Sequence, residues 1–533
     1  FLEKPPLKFW MVAAPIKLGL LPHDEFGLRF WDAVCGSLSF VYVFLIGSLI
    51  AGPICGAVAV LILFAHTPLI FEHGLRTNNM EAALLLSYCG GLFHFLRWQR
   101  TGQWRHAIAV GLFFVLGFMT KFVAVAFLPI VMSIGSLLFA RERRQLMRQW
   151  KTVASVAALA VALIAPWFVY STMQFGSLFW DDILAESVYA RFTTGLNPEH
   201  IQPWFFYVST AWQQFEAAGI GWLVMAGMLL LGVQSMSRRW FEGTVVLLWA
   251  VVPALLISLG SSKLYHYAYP FLPPVALGAG YAVVLVVLLL PVQLRKVSEW
   301  IEDAWVRLLP RGRVLLEAML SRRVLACLLW TAVLLAVITA ITGGIHVNLG
   351  RGVVVKSSGV LRPLLAAVVL GILARRSAIV AVPLVVIGVV AALPFSAYAD
   401  NMARLGVAKH PMRDASECVA HVQRANPALP RGLFVDTDAG IWHPITYYFR
   451  RIQPWMFEVQ PSPALLEQSL KDPASLRPSL VEAARYHEYR SGADAARFNT
   501  PTSPPMIGLN GYALLLPGPY SVCSPESALA RRD

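Results

Sequence analysis

Acidic side chains and cofactor motifs are both scarce in this sequence. Only 14% of its 533 residues are charged, with 30 acidic against 44 basic side chains. A chain so poor in charge cannot cover a water-exposed surface of this size, which argues against a soluble enzyme. Cysteine is sparse too. Cys35, Cys55, Cys89 and Cys327 fall in apolar runs and read as packed thiols, leaving Cys418 and Cys523 in the polar tail as a candidate disulfide. No zinc spacing, Walker loop, dinucleotide fingerprint, nucleophile elbow or internal repeat is present, so the chemistries those motifs carry have no foothold here.

What is abundant is apolar sequence: 57% hydrophobic residues and a mean hydropathy of +0.60. Crossing a hydrocarbon core of ~30 Å takes roughly 17 to 25 apolar residues. That rule predicts spans near 26–50, 54–72, 81–98, 105–120, 122–140, 152–173, 217–234, 243–260, 270–292, 324–343, 361–374 and 378–396. The expected architecture is an α-helical polytopic membrane protein, with a membrane domain over 1–396. The remainder, 397–533, mixes Asp, Glu, Pro and Arg among short apolar runs and reads as a small soluble α/β domain. Within it 433–435 and 512–516 are expected strands, and 413–424 and 462–470 expected helices.

Short basic loops stay in the cytoplasm. Alternating the spans gathers Arg97, Arg100, Arg105, Arg141, Arg143, Arg144, Arg148, Lys151, Arg238, Arg239, Arg375 and Arg376 on one side, which is therefore assigned to the cytoplasm. The same side takes 296–309, whose apolar residues recur at helical spacing as in a helix lying on the membrane. The net charge of +14 is then explained by topology and anionic lipid, with no need of nucleic acid. The protein is expected in the plasma (inner) membrane, with the N-terminal loop, the 73–80 turn, the 174–216 loop, the 261–269 turn and the tail extracytoplasmic. Residue 1 already falls in an outer-side loop, so at least one further span is expected upstream of it.

The outer face collects ionisable groups from segments far apart in sequence. They are Glu3 and Lys4, held in line by Pro5 and Pro6 in what reads as an extended loop; Arg76, Asn78, Asn79 and Glu81; Lys121; Glu186 and Arg191; His200, Trp204 and Tyr207; and Lys263, Tyr265, His266, Tyr267 and Tyr269. Taken singly each has a plainer reading. Lys and Arg snorkel at span ends, Tyr and Trp populate aromatic belts, and Asn78 or Asn79 fits a helix cap before Met80. Together, several cations and carboxylates on one face suit a lipid phosphate and a hydroxyl nucleophile, and charges at membrane depth are usually retained for a task. From this placement Lys263 joins the phosphate-binding set, and Arg76, Asn78, Asn79 and Tyr265 line the substrate.

The Glu3-Lys4-Pro5-Pro6-Leu7 loop, Glu25-Phe26-Gly27-Leu28-Arg29, Arg76…Asn78-Asn79…Glu81, Met119-Thr120-Lys121 and Lys263…Tyr267…Tyr269-Pro270 occur in an order and spacing that resembles the GT-C glycosyltransferases of the aminoarabinose–lipid A transferase and protein O-mannosyltransferase superfamily. The resemblance covers about residues 1–290. It implies a GT-C fold, a polyprenyl-phosphate sugar donor, a lipid, glycan or protein acceptor, and transfer at the outer face. It places Lys4, Lys121 and Arg191 on the donor phosphate, with Tyr267 lining that site. Glu3 falls at a metal-binding position, which makes a divalent ion an expected cofactor, and Glu81 at a second acidic position where Asp is commoner. The principal acidic motif belongs upstream of residue 1. A histidine usual just after the Glu186 position is replaced by Ser187-Val188, so a metal would need His200 or His266. The other reading is a transporter or flippase of a lipid-linked anion, which asks for charges midway along several spans or inverted repeats; the sequence has neither.

Overall fold

The computed structural model describes residues 4–190, 193, 200–286, 322–342, 345–348, 354–357, 361–373 and 395–406, and scattered positions between 413 and 515. The chain divides into two compact units, Phe1–Arg404 and Leu405–Asp533. Most of the Phe395–Gly406 helix falls in the first unit. There Asn401 donates to the carbonyl of Phe64 (2.9 Å) and accepts from the Thr67 hydroxyl (3.0 Å).

The first unit opens with α1 (Leu7–Lys17), α2 (Glu25–Ala51), α3 (Pro53–Ala65), α4 (Thr67–Phe71), α5 (Glu81–Thr101), α6 (Trp104–Lys121), α7 (Phe127–Leu138), α8 (Ala140–Arg148), α9 (Trp150–Phe175) and α10 (Ser177–Trp180). Among the described residues five helical segments are long and apolar enough to cross a membrane: 25–51, 104–125, 150–175, 241–258 and 265–286. Four shorter apolar helices accompany them. Local chemistry sets the ends. Asp24 caps α2 by accepting from the Gly27 amide (3.0 Å), and Gly102, at φ +68°, closes α5 with its amide on the Trp98 carbonyl (2.8 Å).

Several expectations need correction. Pro6 is not extended: it takes an α conformation and caps α1, since a proline before the first turn has no amide to lose. The 54–72 run is two helices, broken at His66 ahead of Pro68. The 122–140 run begins as a 3-10 turn, Phe122–Val125, and only then becomes α7. The 81–98 run is a helix, α5, but it is not among the five apolar spans. It is buried along most of its length between α2 and α6, which lets it carry polar side chains that lipid would reject. The expected helices at 296–309 and 462–470, most of the 378–396 span, and Cys418 with Cys523 lie outside the described residues.

The helices sort by depth. Only 6% of the apolar window of α9 is buried, so its surface faces the surroundings, whereas 83% of the Tyr265–Val286 window is buried and forms the centre. Hydrogen bonds pin that centre: the Trp249 indole donates to the Pro270 carbonyl (2.9 Å), and the Tyr269 hydroxyl lies 3.0 and 2.6 Å from the carbonyls of Pro68 and Glu72. A hairpin, β1 (Ile345–Asn348) with β2 (Val354–Ser357), pairs antiparallel from Ile345↔Ser357 to Asn348↔Val354. In the second unit β3 (Leu433–Val435) pairs parallel with β4 (Val459–Pro461) and β5 (Ser479–Glu482), and β5 pairs antiparallel with β6 (Tyr512–Leu515), giving the order β4-β3-β5-β6.

Candidate active site

Chain direction brings the start of α5, the end of α6 and the 3-10 turn Tyr265–Phe271 to one end of the bundle. Glu81 is the first residue of α5, where a carboxylate also complements the helix dipole. Lys121 is the last residue of α6. Its ammonium donates to Glu81 Oε1 at 2.6 Å and stands 4.9 Å from the centre of the Tyr267 ring. His266 Nε2 lies 3.5 Å from the same carboxylate oxygen, and the His266 ring stacks on His73 with centroids 4.9 Å apart. The Glu81 side chain is 2% exposed, and its second oxygen, Oε2, is buried with no hydrogen-bond partner. A buried carboxylate oxygen left bare is costly, and so marks where a further donor belongs.

A second buried ion pair supports the first. Lys8 of α1 and Asp32 of α2 form a salt bridge with side chains 4% and 1% exposed. Asp32 Oδ2 accepts the Asn79 amide at 2.8 Å, which ties the 73–80 turn to α2 just before Glu81. Asn79 also bonds His73 Nδ1 through its side-chain amide (2.7 Å), and its Oδ1 accepts from the Met80 amide (2.9 Å). Three of the four non-glycine residues with positive φ among the described residues border this site: His73 (51°), Asn78 (54°) and Phe122 (51°). Such conformations persist where surrounding structure over-determines them, and they cluster at functional sites.

The expected site residues do not all meet. Lys121, Glu81 and Tyr267 do, and Lys4, His73 and His200 lie within electrostatic reach of His266. Asn79 positions the turn, and Asn78, beside it, is exposed. Lys263 is engaged elsewhere: its buried ammonium donates to the carbonyls of Gln202 (2.9 Å) and Gly260 (2.6 Å), and its amide to the His200 carbonyl (2.7 Å). It straps two outer segments together, and burial lowers its pKa. Tyr265 shares a 2.6 Å hydrogen bond with His66 Nε2 and stacks on that ring, so its hydroxyl is held in the core. Arg76 lies over the Phe71 ring (5.7 Å), and burial, aided by Arg29, lowers its pKa. Glu3, Arg191 and the Glu186 side chain fall outside the described residues.

Sequence reading gave no role to Lys8 and passed over Asp32 and His73. The available signal was an aspartate inside an otherwise apolar span, which lipid tolerates only with a partner. The described residues do not suit a divalent ion. Glu81 and Asp32 each already hold a lysine ammonium, and among the described residues no three His, Cys, Asp or Glu side chains gather as metal ligands.

The described residues thus form a multispan helical bundle with a lysine–glutamate pair at one end, its carboxylate buried. Residues 3–170 match the family described as dolichyl-phosphate-mannose-protein mannosyltransferase. The chain is 26% identical over 286 residues to an undecaprenyl phosphate-alpha-4-amino-4-deoxy-L-arabinose arabinosyl transferase of Pseudomonas savastanoi pv. phaseolicola, covering 52% of this chain and 50% of that protein. It is 27% identical over 294 residues to one from Pseudomonas fluorescens, again covering 53% and 50%. The chain thus spans about half the length of the curated relatives it matches. In fold it is similar to ArnT from Cupriavidus metallidurans, solved with undecaprenyl phosphate bound, with a TM-score of 0.52 at 17% identity over 97% of this chain and 88% of that one. The chain is thus similar in sequence to aminoarabinose transferases over about half its length and to the protein mannosyltransferase family over residues 3–170, and similar in fold to ArnT.

Proposed function

We propose that this protein is a membrane glycosyltransferase that moves a sugar from a polyprenyl-phosphate donor to an acceptor hydroxyl at the outer face of the membrane. The observation that carries the reading is the half-buried Lys121 paired with the buried Glu81 carboxylate, whose Oε2 is bare. The matched relatives, named for an undecaprenyl-phosphate donor, support the same donor class. A sugar on a lipid phosphate already has a good leaving group, so the protein has to neutralise phosphate charge and hold an acceptor in line. Lys121 is placed to turn from Glu81 toward the phosphate, joined by Lys4 and, from the family resemblance, Arg191. Glu81, relieved of its lysine, then accepts the proton of the acceptor hydroxyl. The hydroxyl oxygen bonds to the anomeric carbon, the bond from that carbon to the phosphate oxygen breaks, and the phosphate leaves with the electron pair. A single in-line displacement inverts the anomeric centre. No step is routed through a metal.

Two substitutions in the full protein separate the roles. Lys121→Ala removes a charge-assisted contact and should weaken polyprenyl-phosphate binding by roughly 10- to 100-fold. Glu81→Gln frees Lys121 for the donor, so binding should hold or tighten while turnover falls by about two to four orders of magnitude. Unchanged turnover in Glu81→Gln would overturn the role given to that carboxylate.

A further inference from the structure

A cavity of about 690 Å³ opens at the end of the bundle far from Glu81. Glu81 begins α5 and Gln99 lies in its last turn, which at ~1.5 Å per residue sets them about 27 Å apart, close to the thickness of a hydrocarbon core. The cavity therefore belongs to the opposite membrane surface and plays no part in the transfer proposed above. Its wall carries Arg100, Arg141, Arg238 and Arg239 against Glu142 and Glu242, an excess of positive charge. Arg100 is neutralised by Glu242 at 2.7 Å, while Arg141, Arg238 and Arg239 make no ion pair among the described residues. Arg239 sits at φ +48° in the turn between two helices, a conformation uncommon for a non-glycine residue.

A second observation narrows the chemistry. Gln99, one of the residues lining the cavity, is 2% exposed and donates through Nε2 to Ser136 Oγ (3.1 Å), while its Oε1 is buried with no hydrogen-bond partner. Arginines call for an anion, whereas a bare amide oxygen calls for a hydrogen-bond donor. The volume would hold about twenty waters, far more than one ion requires. Phe139, Trp240 and Val284 add apolar wall for a hydrocarbon stem.

We infer that this cavity binds the headgroup of a phospholipid carrying both a phosphate and a free hydroxyl, that is, a phosphoglycerol lipid of the leaflet at the basic end. The phosphate meets Arg141, Arg238 and Arg239, and a glycerol hydroxyl donates to Gln99 Oε1. Headgroups ending in an ammonium are disfavoured because they bring a cation against these arginines.

The test uses the full chain in detergent, with lipid retention read by native mass spectrometry. Phosphatidylglycerol should be retained at least about tenfold over phosphatidylcholine of the same acyl chains. The pair Arg238→Ala and Arg239→Ala, at exposed positions, should abolish most of that preference. Gln99→Leu should lower retention of phosphatidylglycerol while leaving that of phosphatidic acid, which lacks the hydroxyl. Equal retention of phosphatidylcholine, or full retention by the double arginine variant, overturns the proposal. Displacement of the lipid by millimolar glycerol 3-phosphate also overturns it, by assigning the site to a soluble phosphate ester.

Discussion

At the scale of single residues, the ion pair least legible in the sequence is the one on which the site leans. Lys8 and Asp32 are almost wholly buried, and Asp32 also holds the Asn79 amide that fixes the approach to Glu81. Removing one charge from such a pair strands the other, at a cost of about 3–5 kcal/mol, whereas removing both is far milder. Asp32→Asn should therefore lower the thermal midpoint in detergent sharply. Adding Lys8→Met should restore most of it, because the asparagine oxygen still accepts from Asn79. An unshifted midpoint in Asp32→Asn would refute the argument.

Among the elements, close helix packing decides what each glycine is for. A Cβ on Gly47 of α2 would lie 2.5 Å from the Cα of Gly56 in α3, backbone against backbone, with no side chain free to move aside. Small residues permit such approaches between membrane helices. Gly232, inside the Gly221–Ser237 helix, has nothing within 4 Å of the same position. One substitution should thus have opposite effects. Gly47→Ala should destabilise by about 1–3 kcal/mol through overpacking. Gly232→Ala should be neutral or stabilise by up to about 1 kcal/mol, since alanine is the better helix former. Thermal unfolding of the two variants checks the contrast, and equal shifts would mean that α2 and α3 do not meet as closely as described.

For the whole molecule, the two ends of the bundle differ in kind. One carries the paired charges Lys8–Asp32 and Lys121–Glu81, and the other carries short basic connections around Arg141 and Arg238. Positive charge in short loops favours retention in the cytoplasm, and we propose that orientation for the second end. A cysteine replacing the exposed Met147 should accordingly react with an impermeant thiol reagent only once the inner face is opened, and one replacing the exposed Trp204 should react from outside. The reverse pattern would invert the orientation and with it the proposed outer-face transfer.

The sequence by itself determined the membrane class, most helix positions, and the candidacy of Glu81, Lys121 and Tyr267, because hydropathy is a local sum over some twenty residues and motifs are read along the chain. It also marked 433–435 and 512–516 as strands, where the structure has Leu433–Val435 and Tyr512–Leu515. It could not assign partners. Lys121 and Glu81 are 40 positions apart, and Lys8 and Asp32 are 24 apart. Lys263 looks like Lys121 in sequence, an ammonium at a membrane edge, yet it ends on two carbonyls while Lys121 faces a carboxylate and an aromatic ring. Only the packing of α1, α2, α5 and α6 decides which charges face each other, since a buried charge takes whatever partner the neighbouring helices bring within hydrogen-bond reach.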